Sequence, residues 1–586
     1  MSSADAYRAP VSRKQRIRRR YHLLSLSIVA IFGLLALLLG RVQILNGSQY
    51  AQQAKSELDQ TVTLQSVRGS IYDHSGDLLA LSVPRYDVVA DDFLITDPLS
   101  LANQLSPILH QSAAMLYPLL KQKNGYVVLA RQVSTAVNNV VNNLGVSGIT
   151  TQVDTVRVSP GASIFQPVLG SVNGSGQGDA GLEYAYNAQL AGKTGTEIIP
   201  LAPGGVQLPG QPVVLSRSVA GENLVLSLDE PLQVEVTKDV AAEMVISHSL
   251  SGIAVVEDVH SGAILAMVDL CRLRNGACAN SGPIGPAPSN LALTAVYQPG
   301  SVMKIATVSY AMHYRLISPT TSFVVPYSLS IGGYVFQDAD IHPTESLQVK
   351  DILAQSSNIG TIEIGRLLGS TRLGEALKAY GFMNYTGLNW PGESAGLVSR
   401  SSTWQGATAA SMAIGTGEAI TPMQVLDAYN SIANGGVLVP PHLVNGVVNS
   451  AGVETPVAPP ASHRSIDSLT ASEMVPMFEG VVQDGTAVSA CVPGYTVAGK
   501  TGTAQVPSPT GFVPGDFNAT FVGFVPAEAP KLSAVVVFNH PTPIYGGSVS
   551  APVFAQVMGY ALRHFDIAPP VRSKASQIQC AVTAQG

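Results

Sequence analysis

Three short stretches of this chain bring together residue types that do acyl-transfer chemistry. In Pro299-Gly300-Ser301-Val302-Met303-Lys304 a turn delivers Ser301 to the start of a helix, with Lys304 one turn on and on the same face. A free serine hydroxyl is a poor nucleophile. A neighbouring amine whose surroundings lower its pKa can take the proton, and helix-start N–H groups can receive the developing oxyanion. The second stretch, Ser356-Ser357-Asn358, falls between helical patterns, so that a hydroxyl and an amide project into one loop. Such a pair can relay a proton and hold a substrate peptide group; the plainer reading is an N-cap serine beside a turn asparagine. The third, Lys500-Thr501-Gly502-Thr503, opens a strand pattern that continues through Ala504-Gln505-Val506. Its lysine and hydroxyls can fix a carboxylate, Gly502 lets another backbone come close, and a strand-edge N–H can complete an oxyanion hole.

Each stretch alone is weak, because a serine three residues before a lysine arises by chance in almost any long chain. Their order carries the weight: Ser-x-x-Lys, Ser-x-Asn and Lys-Thr-Gly, in that sequence, form the signature of penicillin-recognising serine enzymes. A copy of the third, Lys193-Thr194-Gly195-Thr196, precedes Ser301 and is assigned a structural role. It follows a helix over 182–190 with Gly192 as its cap, and no strand leading into the main sheet is expected after it.

The elements that must position these residues are legible in outline. A helix over about 231–247 is announced by Asp229-Glu230-Pro231, and the runs at 252–258 and 263–268 read as a hairpin. Helical stretches occupy much of 300–440, and strand patterns return at 496–506, 520–525 and 532–539. Strands first, helices inserted and strands last suit an α+β fold with one antiparallel sheet and a helical subdomain beside it. This domain is expected over 221–567, after a spacer or docking module at 41–220 and before a polar tail at 568–586.

The chain has 586 residues, enough for two or three folded units, and a net charge of −6, which gives no sign of a nucleic-acid partner. A basic arm over 1–22, with Arg8, Arg13, Lys14, Arg16, Arg18, Arg19 and Arg20, leads into the apolar run 23–40, about the length that spans a hydrocarbon core. The run ends in Gly40-Arg41-Val42-Gln43 rather than a small-x-small site, so an uncleaved anchor with a cytoplasmic N-terminus and an extracytoplasmic remainder is expected. The first cysteine is Cys271, which argues against a lipoprotein. Cys271 and Cys278 can close a small loop, leaving Cys491 for Cys580, although four cysteines allow three connectivities.

Beyond the three motifs, the chain resembles the class B penicillin-binding proteins, the monofunctional transpeptidases of bacterial wall synthesis. Arg68-Gly69-Ser70-Ile71-Tyr72-Asp73-His74-Ser75-Gly76 looks like the family's early Arg-Gly-x-Ile-x-Asp-Arg-x-Gly motif, with His74 in place of the usual arginine, a departure expected to weaken a salt bridge there. Gly181-Leu182-Glu183 through Gly192 is similar to a block of the family's pedestal module. Gly415-Thr416-Gly417 with Thr421-Pro422-Met423-Gln424, Ala433-Asn434-Gly435-Gly436, and Phe521-Val522-Gly523-Phe524-Val525-Pro526 resemble stretches flanking the family's site.

The resemblance implies the penicillin-binding transpeptidase fold behind a mixed α/β pedestal and one transmembrane helix. It implies a D,D-transpeptidase acting on peptidoglycan stem peptides that end in D-Ala-D-Ala, inhibited by β-lactams, with no metal or other cofactor. By the same resemblance Ser301 forms the acyl-enzyme, Lys304 takes its proton, and Ser356 and Asn358 assist proton transfer and peptide binding. Lys500, Thr501, Gly502 and Thr503 would orient the substrate, and a separate membrane glycan polymerase with division or elongation proteins would be partners. The motifs at Arg68 and Ser356 look more septal than elongation-type. Competing readings are a D,D-carboxypeptidase or β-lactamase, a β-lactam-binding sensor and a non-catalytic membrane scaffold, since shared groups do not fix the acyl acceptor.

Overall fold

The computed structural model describes residues 13–200, 213–508 and 511–570. The chain divides into two units, one of residues 1–65, 85–154 and 194–218, the other of 66–84, 155–193 and 219–586. Arg8, the polar tail beyond 570 and the expected Cys491–Cys580 bridge fall at least partly outside the described residues.

In the first unit a helix over Arg13–Gly40 runs into a wider turn at Arg41–Leu45. One apolar stretch, Ile17–Leu45, is long enough to cross a membrane, somewhat longer than the run 23–40. Its apolar window is unburied among the described residues, which suits a helix whose surroundings are hydrocarbon. Farther on, Asp97 caps the helix Pro98–Leu109 through Ser100 N at 3.1 Å. That helix buries Leu101, Ala102 and Leu105 with Leu116, Val88 and Leu129 in a small core.

The second unit holds the main sheet. Its labelled elements are α1 (Glu230–Ile246), β1 (Ser251–Asp258), β2 (Ile264–Arg274), α2 (Lys304–His313), α3 (Asn358–Leu368), α4 (Pro422–Ala433), β3 (Ala498–Ser508), β4 (Gly511–Val525), β5 (Leu532–Asn539) and α5 (Gly546–His564). The strand order is β2-β1-β5-β4-β3, antiparallel throughout, so the strands from the start and end of the domain meet at the β1–β5 pairing. β1 and β5 are buried on both faces, which is why they read as unbroken apolar runs.

Each face of the sheet is covered. Phe521 of β4 stacks edge-on against Phe554 of α5, with ring centroids 4.7 Å apart. On the opposite face Ser533 of β5 donates to Asn430 of α4 at 2.9 Å. α1 begins as expected, with Asp229 accepting from Leu232 N at 2.7 Å and Pro231 in the first turn. The Cys271–Cys278 bridge forms at the end of β2, across a tight turn through Asn275 and Gly276, both with positive φ.

The early family-like motifs meet in a buried charge cluster. Arg68 Nε lies 2.6 Å from Glu183 Oε2, and Arg157 Nε lies 2.6 Å from Glu183 Oε1. Asn187 Oδ1 and the Glu183 carbonyl take two further Arg68 donors. At the departure from the family motif, the histidine ring takes a carboxylate partner. His74 Nε2 lies 2.8 Å from Asp229 Oδ2, and the same oxygen meets His564 Nε2 of α5 at 2.9 Å.

Candidate active site

Ser301 stands in the turn Gly300–Met303, which is wound as a 3₁₀-helix before α2 begins at Lys304. Three residues per turn eclipse positions i and i+3, so Ser301 and Lys304 project from the same side of the backbone. The turn is fixed from behind: Gly300 N donates to Gly415 O at 2.9 Å and Tyr429 of α4 donates to Val302 O at 2.8 Å. Gly300 has φ +61°, and a Cβ there would come within 3.1 Å of Thr503 O, so the glycine allows the turn to rest on β3. The third motif answers in kind, because a Cβ on Gly502 would lie 2.6 Å from Pro299 O. Two glycines therefore bring the serine turn against the Lys-Thr-Gly strand.

Lys304 is wholly buried and joins the first motif to the second. Its Nζ donates to Ser356 O at 2.5 Å, Asn358 Oδ1 at 2.9 Å and Ser356 Oγ at 3.2 Å. Ser356 holds a left-handed backbone, φ +62°, in a segment whose carbonyl meets the lysine; such a conformation is costly for a residue with a Cβ and marks a site held by its surroundings. Burial brings the Lys304 pKa down to about 7, against the opposing pull of the Asp338 carboxylate. Burial thus favours the unprotonated amine here, the direction a general base requires.

The Ser-x-Asn stretch holds an N-cap serine, and the side chains flanking it turn toward Lys304. Ser357 is the N-cap of α3, accepting from Gly360 N at 2.9 Å, while Ser356 and Asn358 on either side face Lys304.

β3 ends the sheet and, among the described residues, pairs with β4 alone. Lys500 is fully buried, its pKa held well below that of a free lysine by burial first and by the charge of Lys304 second. Its Nζ reaches Thr501 O at 3.3 Å. Thr501 Oγ1 shares a hydrogen bond with Thr486 Oγ1 at 2.7 Å, and Thr503 Oγ1 accepts from Gly546 N at 3.3 Å. The structure therefore brings the three motifs together, Lys304 holding Ser356 and Asn358 and the Ser301 turn resting on the strand of Gly502 and Thr503. An edge strand with aligned donors can take an extended peptide, and two lysines in low-dielectric surroundings favour a carboxylate beside them.

The earlier Lys-Thr-Gly copy stands elsewhere. Lys193 is exposed and exchanges backbone hydrogen bonds with Val219, and Gly195–Pro200 forms a strand that pairs with Asp59–Leu64 in a separate three-stranded sheet. Sequence reasoning missed Asp338, Thr486 and Tyr429. Asp338 accepts from Ser357 Oγ at 2.7 Å, Ile359 N at 3.0 Å and Asn358 N, and so anchors the whole Ser-x-Asn segment. No spacing rule marks an aspartate that lies twenty residues before the segment it caps.

Comparison with known proteins places the chain. Residues 252–559 match the penicillin-binding protein transpeptidase domain and residues 63–226 the penicillin-binding protein dimerisation domain. The penicillin-binding protein PbpB of Mycolicibacterium smegmatis is 28% identical over 93% of this chain and 90% of its own length. The peptidoglycan D,D-transpeptidase FtsI of Escherichia coli K12 is 29% identical over 91% of this chain and 90% of its own. Among solved structures, penicillin-binding protein 3 of Mycobacterium tuberculosis in complex with aztreonam superposes with a TM-score of 0.68 at 26% identity, covering 87% of this chain and 98% of that one. A peptidoglycan synthetase from Bifidobacterium adolescentis gives 0.71 at 26% identity over 88% and 98%. With more than half its length matched by the transpeptidase domain and a dimerisation domain ahead of it, this chain belongs to the class B penicillin-binding proteins.

Proposed function

We propose that the chain is a membrane-anchored peptidoglycan D,D-transpeptidase working through a Ser301 acyl-enzyme. The observation that carries this reading is Lys304: a buried amine with its pKa near 7, eclipsed with Ser301 and hydrogen-bonded to Ser356 and Asn358. In the first half-reaction Ser301 Oγ attacks the carbonyl of the penultimate D-Ala of a stem peptide, and its proton passes to Lys304 Nζ. The C–N bond then breaks, the leaving amine takes a proton by way of Ser356 Oγ, and D-Ala departs. In the second, an amine of a neighbouring stem attacks the ester carbonyl and gives up a proton to the same pair; the C–O bond to Ser301 breaks, and Oγ takes that proton back from Lys304.

N–H groups at the head of the Ser301 turn and on β3 at Thr503 suit the oxyanion. Lys500 and Thr501 suit the terminal carboxylate, and the Asn358 amide suits a peptide group of the stem. The same groups fit a β-lactam, the ligand class of the aztreonam complex. Acceptance of an amine rather than water, and a septal site of action, are supported by the likeness to FtsI and PbpB. The match of the residues ahead of the transpeptidase domain to a dimerisation domain supports leaving glycan polymerisation to a separate membrane partner.

The basic residues before the apolar helix put the N-terminus in the cytoplasm and the catalytic domain outside. The central test is covalent labelling of the full chain by a fluorescent penicillin. Ser301→Ala is expected to abolish labelling with an unchanged melting temperature, and undiminished labelling would show that another residue is the nucleophile.

A further inference from the structure

Asp338 follows directly on the hairpin of Ser328–Ile331 with Tyr334–Gln337. Gln337 O accepts from Asn358 Nδ2 at 2.8 Å, and the Asp338 carboxylate takes Ser357 Oγ and two N–H groups at the start of α3. A carboxylate at a helix N-terminus meets both unpaired donors and the positive end of the dipole. It is the single group that ties Ser357, Asn358 and Ile359 to one point, and Asn358 and Ser356 are what Lys304 Nζ holds.

Asp338 is itself held by His342. Nε2 of that ring lies 3.2 Å from Asp338 Oδ2, and Nδ1 lies 2.8 Å from Pro343 O and 3.3 Å from Glu345 Oε1. A carbonyl and two carboxylates can only accept hydrogen bonds. A neutral imidazole has one donor and one lone pair, so either tautomer would set a lone pair against an acceptor. Only the imidazolium satisfies both sides. In keeping with this, the Pro343 carbonyl first, and the Asp338 and Glu345 carboxylates with it, hold the His342 pKa above that of a free histidine. The titratable groups around the ring are Asp338, Glu345 and Tyr327, whose ring stands edge-on at 6.1 Å, with Asp340 on the same loop and Lys304 beyond Asp338.

We infer that His342, as an imidazolium, is a positioning residue for acylation: it fixes Asp338 against the Ser356–Asn358 segment and offsets the negative field that Asp338 casts on Lys304. The inference rests on the reading of Lys304 as the general base. Its consequence has a sign. An anion near an ammonium favours the charged form and raises its pKa, as Asp338 does to Lys304. Removing the imidazolium leaves that anion uncompensated, so Lys304 must lose its proton at higher pH. Removing the anion has the opposite effect.

The test is the second-order rate of acylation of the full chain in detergent by a fluorescent penicillin, followed across pH. The rising limb in the wild type is expected near pH 7. His342→Gln should move it up by about half a pH unit, and Asp338→Asn should move it down by a comparable amount. Opposite shifts are the result expected. A His342→Gln limb that coincides with the wild type, or moves down, overturns the inference. Should His342→Gln lower the melting temperature, His342→Arg serves instead: a fixed cation should leave the limb in place, and a limb raised by it also overturns the inference. Labelling that persists in Ser301→Ala would instead break the reading of the nucleophile, an outcome distinct from any shift of the limb.

Discussion

The second unit buries cations in two places and treats them in opposite ways. In the cluster formed by the early motifs, two arginines share one carboxylate, Glu183, each at 2.6 Å, so both cations are bonded to an anion although one net positive charge remains. In the cleft, Lys304 and Lys500 are equally inaccessible, yet the groups that receive Lys304 are a carbonyl, a hydroxyl and an amide oxygen, with Asp338 acting only at a distance. Arginine does not give up its proton in proteins, so the first arrangement can only be structural. Lysine does, and burial without a bonded carboxylate drives it to. Bonding a buried cation to a carboxylate makes a fastener; withholding the carboxylate makes a base.

The largest effect that can break this contrast lies at Lys304. Lys304→Ala should slow acylation by roughly 10²- to 10⁴-fold, the range of general-base contributions, while Lys304→Arg, which cannot deprotonate, should do no better. Stopped-flow acylation rates on the two variants decide it, and a near-normal rate in Lys304→Arg would show that the amine does not act as a base.

Next in size is Glu183→Gln, which keeps the shape and removes the charge between Arg68 and Arg157. Stranding two buried guanidinium groups should cost about 3–5 kcal/mol. Denaturant melts should show that loss, and the acylation rate of the folded fraction should stay as it was. Unaltered stability would mean the cluster is no fastener.

A third buried group sharpens the comparison from the acid side. Glu257 of β1 and Asp427 of α4 are fully buried and mutually repelling; Asn430 Nδ2 donates to Glu257 Oε1 at 3.0 Å, but Glu257 Oε2 and Asp427 Oδ1 have no partner among the described residues. Burial first, and Asp427's charge second, push the Glu257 pKa well above the carboxylate range, and burial does the same to Asp427. The folded protein therefore keeps protons that the unfolded chain has already released. Stability is highest at acid pH with respect to this pair and falls as pH rises from the ordinary carboxylate range toward the raised pKa. Asp427→Asn should flatten the decline of melting temperature as pH rises above the ordinary carboxylate range. A decline as steep as in the wild type would rule the pair out as its source.

What could be read in the sequence beforehand follows from how local each signal is. The Asp229 cap and the apolar runs of β1 and β5 announce themselves within a few residues, because helix starts and doubly buried strands have short-range causes. Ser301, Lys304, Ser356, Asn358 and Lys500 to Thr503 were legible because few residue types can do that chemistry and the order of the motifs is restrictive. Asp338, His342, Arg157 and Thr486 were not. Each acts through a partner distant in the chain, and an isolated aspartate, histidine, arginine or threonine in a loop or strand looks like surface until folding supplies the partner. His74 is an intermediate case: its departure from the family pattern was visible, but its sharing of Asp229 with His564 was not.

The smallest expected effect concerns the two Lys-Thr-Gly copies, where identical letters meet different surroundings. Lys500 has the serine turn resting on its strand through Gly502, no solvent access, and a like charge nearby in Lys304, so its amine is part of the cleft. Lys193 is bound to Val219 only through its backbone, and its side chain is exposed. A backbone bridge survives any substitution that keeps the main chain, so Lys193→Ala removes a solvated amine and nothing that holds the fold. Surface changes of this kind shift stability by about 0.5 kcal/mol or less, and the acylation rate should match the wild type within error. Lys500→Ala, in contrast, removes the amine proposed to hold the substrate carboxylate and should weaken acylation by a charge-assisted contact's worth, about 1.5–3 kcal/mol or more than tenfold in rate. Measuring both variants side by side with one labelled penicillin separates position from sequence: equal rates, or a larger defect at Lys193, would mean that the surroundings described for Lys500 do not decide which copy binds.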